Sequence, residues 1–210
     1  MSADILIITG HPNRESLSSH IADVYKTTAT SMGAKVKTIH LSELDFDPVL
    51  HKGYNEIQPL EPDLLRVQKE IENARHVVWV YPMWWVGAPA VLKGFIERVF
   101  LPGWAFKYDE NAAIPRKLLK GRSSRIIMTM DSPNWWYALF YRRAATHSFK
   151  YGILKFSGFN PVKTTTLYGI KEMNSAQLGK ALEKVKKAAT YDMKMVPARS
   201  SSPRELTATR

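Results

Sequence analysis

D-I-L-I-I-T-G-H-P-N-R-E-S-L-S, residues 4–18, carries the signals from which the fold is read. Asp4 to Thr9 is a continuous run of leucine and β-branched residues, as expected of a strand buried on both faces. Gly10-His11-Pro12-Asn13 then turns the chain. Ser16, Ser18 and Ser19 follow as candidate N-caps for a helix running to about Ser31. A strand that hands over through a glycine turn to a helix N-terminus is the opening half of a β-α-β unit.

Working outward, the same alternation recurs. Gly33 stops the first helix, and Lys35 to Leu41 alternates basic with apolar residues, as a strand near a sheet edge would. A polar stretch with Pro48, Gly53, Pro59 and Pro62 reads as loop. Asp63 to Ala74 has helical spacing through Leu64, Leu65, Val67 and Ile71. The strand H-V-V-W-V-Y, His76 to Tyr81, is stopped by Pro82. Pro89 suits the first helical position of Ala88 to Phe100. Arg125 to Met130 is a further buried strand, broken by Asp131-Ser132-Pro133-Asn134, and a helical region continues through about Lys155 to Gly158. Val162 to Tyr168 is the last strand, and Ser175 to about Met193 the last helix, with Ser175 as its N-cap. Such alternation predicts a parallel sheet covered on both faces. Five strands match the flavodoxin-like doubly wound α/β fold, with strand order 2-1-3-4-5. One domain over residues 1–193 is expected, with a basic tail at 194–210.

Composition narrows the functional classes. At 45% hydrophobic and 23% charged residues the chain is not disordered, collagen-like or a coiled coil. No run approaches the ~18 apolar residues of a membrane span, and the N-terminus lacks the basic segment of a signal peptide. The absence of cysteine excludes a disulfide scaffold, thiolate metal sites and a cysteine nucleophile. No metal site is expected, and the cytoplasm is the expected compartment. Net charge is +11, of which residues 194–210 hold +3. Nucleic acid, an anionic membrane surface and a phosphorylated ligand are all candidate reasons for it. The basic residues are spread out and no nucleic-acid-binding motif is present, so nucleic acid is the weaker class.

In open parallel sheets ligands bind beyond the carboxyl ends of the strands, where strand order reverses. Three loops should meet there: Gly10 to Ser18, Pro82 to Gly87 and Asp131 to Trp136. The first offers hydroxyls and helix N–H groups to an anion, although the serines could equally serve only as caps. No G-x-G-x-x-G or Walker lysine is present. The other two, Y-P-M-W-W-V-G-A-P and D-S-P-N-W-W-Y, hold four of the six tryptophans as adjacent pairs. Two adjacent large rings cannot both enter one core, so part of this surface faces a flat ligand, a partner subunit or another loop. A phosphate loop beside aromatic walls suits a flavin mononucleotide-like ligand.

Tyr81 to Phe100, Y-P-M-W-W-V-G-A-P-A-V-L-K-G-F-I-E-R-V-F, resembles the signature of the NAD(P)H:quinone oxidoreductase family. I-I-T-G-H-P-N-R-E-S-L-S and G-I-L-K-F-S-G-F, Gly152 to Phe159, are similar to two further blocks of that family, so the resemblance covers about residues 1–190. It implies a homodimeric oxidoreductase with bound FMN or FAD, taking hydride from NADPH or NADH and passing it to a quinone-like acceptor. By matching position His11, Ser16, Leu17 and Ser18 would hold the flavin phosphate region. Pro82, Met83, Trp84, Trp85 and Val86 would line the ring, and Met130, Asp131 and Ser132 match a second ring-binding loop. Relatives often have Thr-Gly-Gly there, followed by a tyrosine and a histidine; here the stretch is M-D-S-P-N-W-W-Y, and Leu139 falls at the histidine's place. Tyr137, Tyr141 and His147 are the substitutes that can be named for proton handling, without an assigned role. An ancillary role like that of flavoproteins regulating potassium efflux systems is an alternative. The apolar excess of the Ala88–Phe100 helix is expected either to meet a second subunit or to be buried in the core, and Lys93 and Glu97-Arg98 to form a solvated or interface edge.

Overall fold

The computed structural model describes residues 4–110 and 114–196. Ile5–Thr9 (β1), Val36–His40 (β2), His76–Pro82 (β3), Ser123–Met130 (β6) and Val162–Tyr168 (β7) form one parallel sheet. A two-residue antiparallel pair, Phe106–Lys107 (β4) and Arg116–Lys117 (β5), lies outside it. The order β2-β1-β3-β6-β7 is the expected 2-1-3-4-5 once that pair is set aside. The pair was not foreseen, because two residues carry no periodicity.

The helices are Leu17–Ser31 (α1), Pro62–Asn73 (α2), Ala90–Val99 (α3), Asn134–Leu139 (α4), Ala144–His147 (α5) and Ser175–Met195 (α6), with a π-helix over Ser148–Lys155. The single helical region read between Asn134 and Lys155 is thus three pieces, interrupted at Arg142 and Arg143, which both have positive φ. Asn174, not Ser175, caps α6, in a capping box with Gln177. The tail expected at 194–210 falls mostly on 197–210, outside the described residues; Lys194 and Met195 belong to α6.

Alternate residues of each central strand feed two cores. Ile5, Ile7, Val78 and Val80 pack with Ile21, Tyr25 and Val185 on the side of α1 and α6. Leu6, Ile8, Val77 and Trp79 pack with Leu64, Val67, Leu92 and Phe95 on the side of α2 and α3. Each face is covered, which is why the strands read as unbroken apolar runs.

Arg98 corrects the expectation of an exposed edge. It is fully buried, and its guanidinium donates to both Glu61 carboxylate oxygens at 2.9 and 3.0 Å and to the Pro59 and Asp47 carbonyls. Those bonds fix the long loop before α2 against α3, where Gly94 allows a close approach: a Cβ there would lie 2.4 Å from the Pro48 carbonyl oxygen. Phe46 of that loop stacks edge-on against Phe95 at 6.2 Å. Part of the apolar surface of α3 is thus used within one chain, where Leu92, Phe95 and Val99 are fully buried.

At the opposite end of the sheet from the three loops, Asp192 of α6 is fully buried among charges. It accepts from Arg125 through both carboxylate oxygens and from the Tyr25 hydroxyl at 2.8 Å. His76 Nε2 stands 3.3 Å away, and its Nδ1 meets the Ser123 hydroxyl at 2.8 Å. Burial pushes the Asp192 carboxyl up, but His76 and Arg125 outweigh burial and hold it below the usual carboxylate range. A depressed carboxylate contributes stability above its unfolded pKa and loses it as pH falls through the folded value. Asp192→Asn leaves Arg125 buried without its counter-charge. It should cost about 3–5 kcal/mol in urea unfolding at neutral pH, and the gap from wild type should narrow in strong acid.

Candidate active site

The three loops do meet at the carboxyl edge, where order reverses between β1 and β3. Backbone bonds stitch two of them together: Gly10 N–H donates to the Val80 carbonyl and Met83 N–H to the Thr129 carbonyl, both at 2.8 Å. The third is tied across by the Lys171 N–H, which donates to Asp131 Oδ1 at 2.8 Å. The resulting cleft has a volume of about 210 Å³. The first loop contributes His11, Leu17 and Ser18, the second Pro82, Met83 and Trp84, the third Met130 and Asp131. Thr129 and Ile170 complete the wall.

The serines of the first loop divide their work. Ser16 is the N-cap of α1, its side chain accepting from the Ser19 N–H at 3.3 Å. Ser18 is 2% exposed, and its hydroxyl has no protein partner among the described residues. The N–H groups of Leu17 and Ser18, in the first turn of a 15-residue helix, likewise lack protein acceptors among those residues. Unpaired helix N–H groups and the positive end of the helix dipole favour an anion at this wall. His11 accepts the Asn13 N–H at Nδ1 (2.9 Å) and meets the Trp84 ring edge-on at 5.3 Å.

The second loop is a tight hairpin. Trp84 and Gly87 exchange both backbone hydrogen bonds, at 2.9 and 3.0 Å, and the two residues between them, Trp85 and Val86, have φ of 49° and 56°. Two positive φ values in a two-residue loop are the I′ arrangement, normally given to Asn and Gly. For Trp and β-branched Val this conformation stores of order 1–3 kcal/mol per residue. The turn leaves the Trp85 ring fully exposed.

Not every residue expected in the site lines the cleft. Ser16 and Ser132 do not, Trp85 stands clear of it, and Val86 borders a separate cavity of about 150 Å³ with Tyr81, Ala145 and Phe149. Tyr137 is fully buried; its hydroxyl meets the Thr146 hydroxyl at 3.0 Å and accepts the Thr146 N–H at 2.9 Å. Tyr141 is exposed past the end of α4, and His147 lies on α5 with its ring centroid 5.1 Å from that of Tyr151. Neither borders the cleft. Thr129, Ile170 and His40 were not singled out in the sequence. Only their place at or next to a strand's carboxyl end marked them.

His40 sits behind the first loop at the end of β2, its Nδ1 2.7 Å from the Thr9 hydroxyl. Burial, and then the nearby Arg14, lowers its imidazole pKa. A depressed histidine binds its proton less readily folded than unfolded, so its contribution to stability is present above about pH 6.5 and lost as pH falls below it. Replacing His40 with Gln should flatten that segment of the stability–pH curve, measured by denaturant unfolding between neutral and mildly acid pH.

The family described as "Flavodoxin-like fold" matches residues 3–189. An uncharacterized NAD(P)H oxidoreductase of Haemophilus influenzae is 32% identical over 60% of this chain, and the match spans 64% of that relative, less than two thirds of its length. NAD(P)H dehydrogenase [quinone] 1 of Cavia porcellus is 25% identical over 79% of this chain and 68% of its own length. A solved structure, an FMN-dependent NADH-azoreductase from Bacillus anthracis in complex with FMN, superposes with a TM-score of 0.71 at 18% identity. It covers 90% of this chain and 99% of that one, a likeness of fold. From its own sheet order and this match over nearly its whole length, the chain belongs to the flavodoxin-like fold family, among relatives named NAD(P)H oxidoreductases and NAD(P)H dehydrogenases [quinone].

Proposed function

We propose that this chain is a flavin-dependent NAD(P)H oxidoreductase, with residues 1–193 as its flavin-binding domain, that passes two electrons to a quinone-like acceptor. One observation carries the reading: unpaired donors of the α1 N-terminus and a wall of Met83, Trp84 and Met130 face one cleft at the switch point. Those residues fit a group that is anionic at one end and planar and apolar at the other. FMN supplies both features and is favoured over FAD, because the cleft gives a recognisable place to one phosphate. Relatives named for NAD(P)H and for quinone reduction support the donor and acceptor classes.

When bound, the flavin supplies hydride chemistry between NADPH or NADH and the acceptor. The protein supplies position and field. Leu17 and Ser18 would hold the phosphate through their N–H groups and the Ser18 hydroxyl, with His11 at the same wall. Pro82, Met83 and Trp84 would seat one side of the ring, and Met130 and Asp131 the other. The free N–H groups of Trp85 and Val86 are donors within reach of the hairpin tip for the ring's polar edge. A net charge of +11 favours anionic ligands and the build-up of negative charge on hydride transfer. Tyr137, engaged with Thr146, is a core residue in this reading; proton delivery falls to water or to a group outside the cleft wall.

Two copies would pair across a groove of about 650 Å³ bordered by Ile96, Phe100, Phe106 and Phe156. A solution mass equal to one chain, 23.9 kDa, at working concentration would overturn the pairing.

The decisive experiment is release and mass measurement of the chromophore from purified protein; colourless protein that binds no added FMN rejects the reading. Ser18→Asp, which sets a negative charge at the anion wall, should weaken FMN binding at least tenfold without loss of fold. Ser16→Ala should instead cost about 1 kcal/mol of stability through the lost cap with a smaller effect on FMN. Donor and acceptor sharing one cleft in turn should give parallel double-reciprocal plots; intersecting lines would exclude this order.

A further inference from the structure

Helix α6 carries most of its cations in a single row. Lys180, Lys184, Lys187, Tyr191 and Lys194 follow one another at alternating steps of four and three residues, so at about 3.6 residues per turn they share one narrow stripe. All of them are exposed, whereas Ala181, Val185 and Ala189 on the other flank of the helix are buried. Where Tyr191 interrupts the row, Lys163 of β7 fills the place, its ammonium 5.6 Å from the centre of the tyrosine ring. Five lysines thus line about 21 Å of surface, the rise of fourteen helical residues.

No acid answers this row. None of these lysines makes an ion pair or a hydrogen bond among the described residues. The acidic residues of α6 are taken: Glu183 pairs with Lys186 beside the stripe, and Asp192 is buried against Arg125. Lys180 and Lys184 are four apart and Lys184 and Lys187 three apart, like-charge spacings that destabilise a helix. Elsewhere the chain gives the same spacing opposite charges, as in Lys52–Glu56 and Lys93–Glu97. Cations kept in line at a cost to the helix that bears them point to an anionic partner.

The chemistry of the row selects among anions. It is built of lysines, point charges without the planar fork that arginine offers a phosphate. The one ring within it, Tyr191, is already engaged by Lys163 and Arg125. A nucleic acid therefore finds here neither a bidentate phosphate contact nor a ring free of cations for stacking. A surface of mobile, spread negative charge needs no such geometry, and clusters of about four to eight basic residues on an amphipathic helix suit anionic phospholipid.

We propose that the lysine row of α6, together with Lys163, docks the protein on an anionic phospholipid bilayer. The helix lies on that surface without entering it, because its apolar face is buried with Ile21 and Tyr25. No helix among the described residues is long and apolar enough to cross a membrane. None of the docking residues borders the cleft, so the proposal is independent of the redox reading.

Co-sedimentation of the full chain with phosphatidylcholine vesicles, with and without phosphatidylserine, tests it. Binding is expected to the phosphatidylserine vesicles alone, weakening with added salt. The triple variant Lys180→Gln/Lys184→Gln/Lys187→Gln should lose at least tenfold in partitioning, and the Lys→Arg triple at the same positions should keep it. A charge-matched triple around β4 and β5, Lys107→Gln/Lys117→Gln/Lys120→Gln, removes exposed lysines on the opposite side of the sheet. It should bind within about twofold of wild type. Equal loss in both glutamine triples would assign binding to net charge and overturn the proposal, as would absence of binding by wild type. Tighter binding of a labelled DNA duplex than of the vesicles, lost in the α6 triple, would assign the row to nucleic acid and equally overturn it. Far-UV circular dichroism on each variant separates lost docking from lost fold. Colourless protein that binds no FMN and still docks would reject the redox reading and leave this one standing.

Discussion

A parallel sheet must have both faces covered, and the reversal of strand order at β1 is what makes the rest of this molecule possible. Because the chain winds one way from β1 to β2 and the other way from β3 onward, helices leave the sheet on opposite faces there. No helix can cap the crevice between them. The polar groups at that edge, the first N–H groups of α1 and the Ser18 hydroxyl, find no protein partner among the described residues. The cleft in which we propose the cofactor sits is thus a feature that winding alone produces.

Much of this was legible in residues 4–18 and in the strands that follow. Runs such as I-L-I-I-T and H-V-V-W-V-Y admit burial on both faces and little else, and β2 showed its edge position through alternating lysines. The convergence of the three loops followed from strand order. What stayed hidden depended on long-range partners. Arg98 looked like a surface residue because Glu61 and the Pro59 carbonyl, which neutralise and bind it, lie some forty positions away. How much of α3 the chain itself covers could not be read, because the loop that packs on Phe95 and Gly94 has no regular pattern. Nor did the sequence show that the hydroxyl of Tyr137, named there without a role, meets Thr146 in the interior. Sequence spacing reports local periodicity; it is silent on which polar group will find a distant mate.

Strain is placed where it serves exposure. Trp85 and Val86 occupy a turn that glycine or asparagine would adopt at lower cost. In return, the hairpin projects a bare indole and two N–H groups that have no partner among the described residues from the end of a core strand. Arg142 and Arg143 do the same for the end of α4. Natural structures keep such conformations where their surroundings over-determine them, and here both are held by short backbone hydrogen bonds, Trp84 to Gly87 and Ala144 to Tyr141.

The carboxylate at position 192 has a consequence for biosynthesis. Its partners Tyr25, His76 and Arg125 belong to a helix and two strands made much earlier, one of them 167 positions upstream. Until α6 leaves the ribosome, the Arg125 guanidinium lacks the Asp192 carboxylate and cannot be sealed from water at low cost. The sheet can collapse but not close before α6 is made, so completion of this domain waits for that helix.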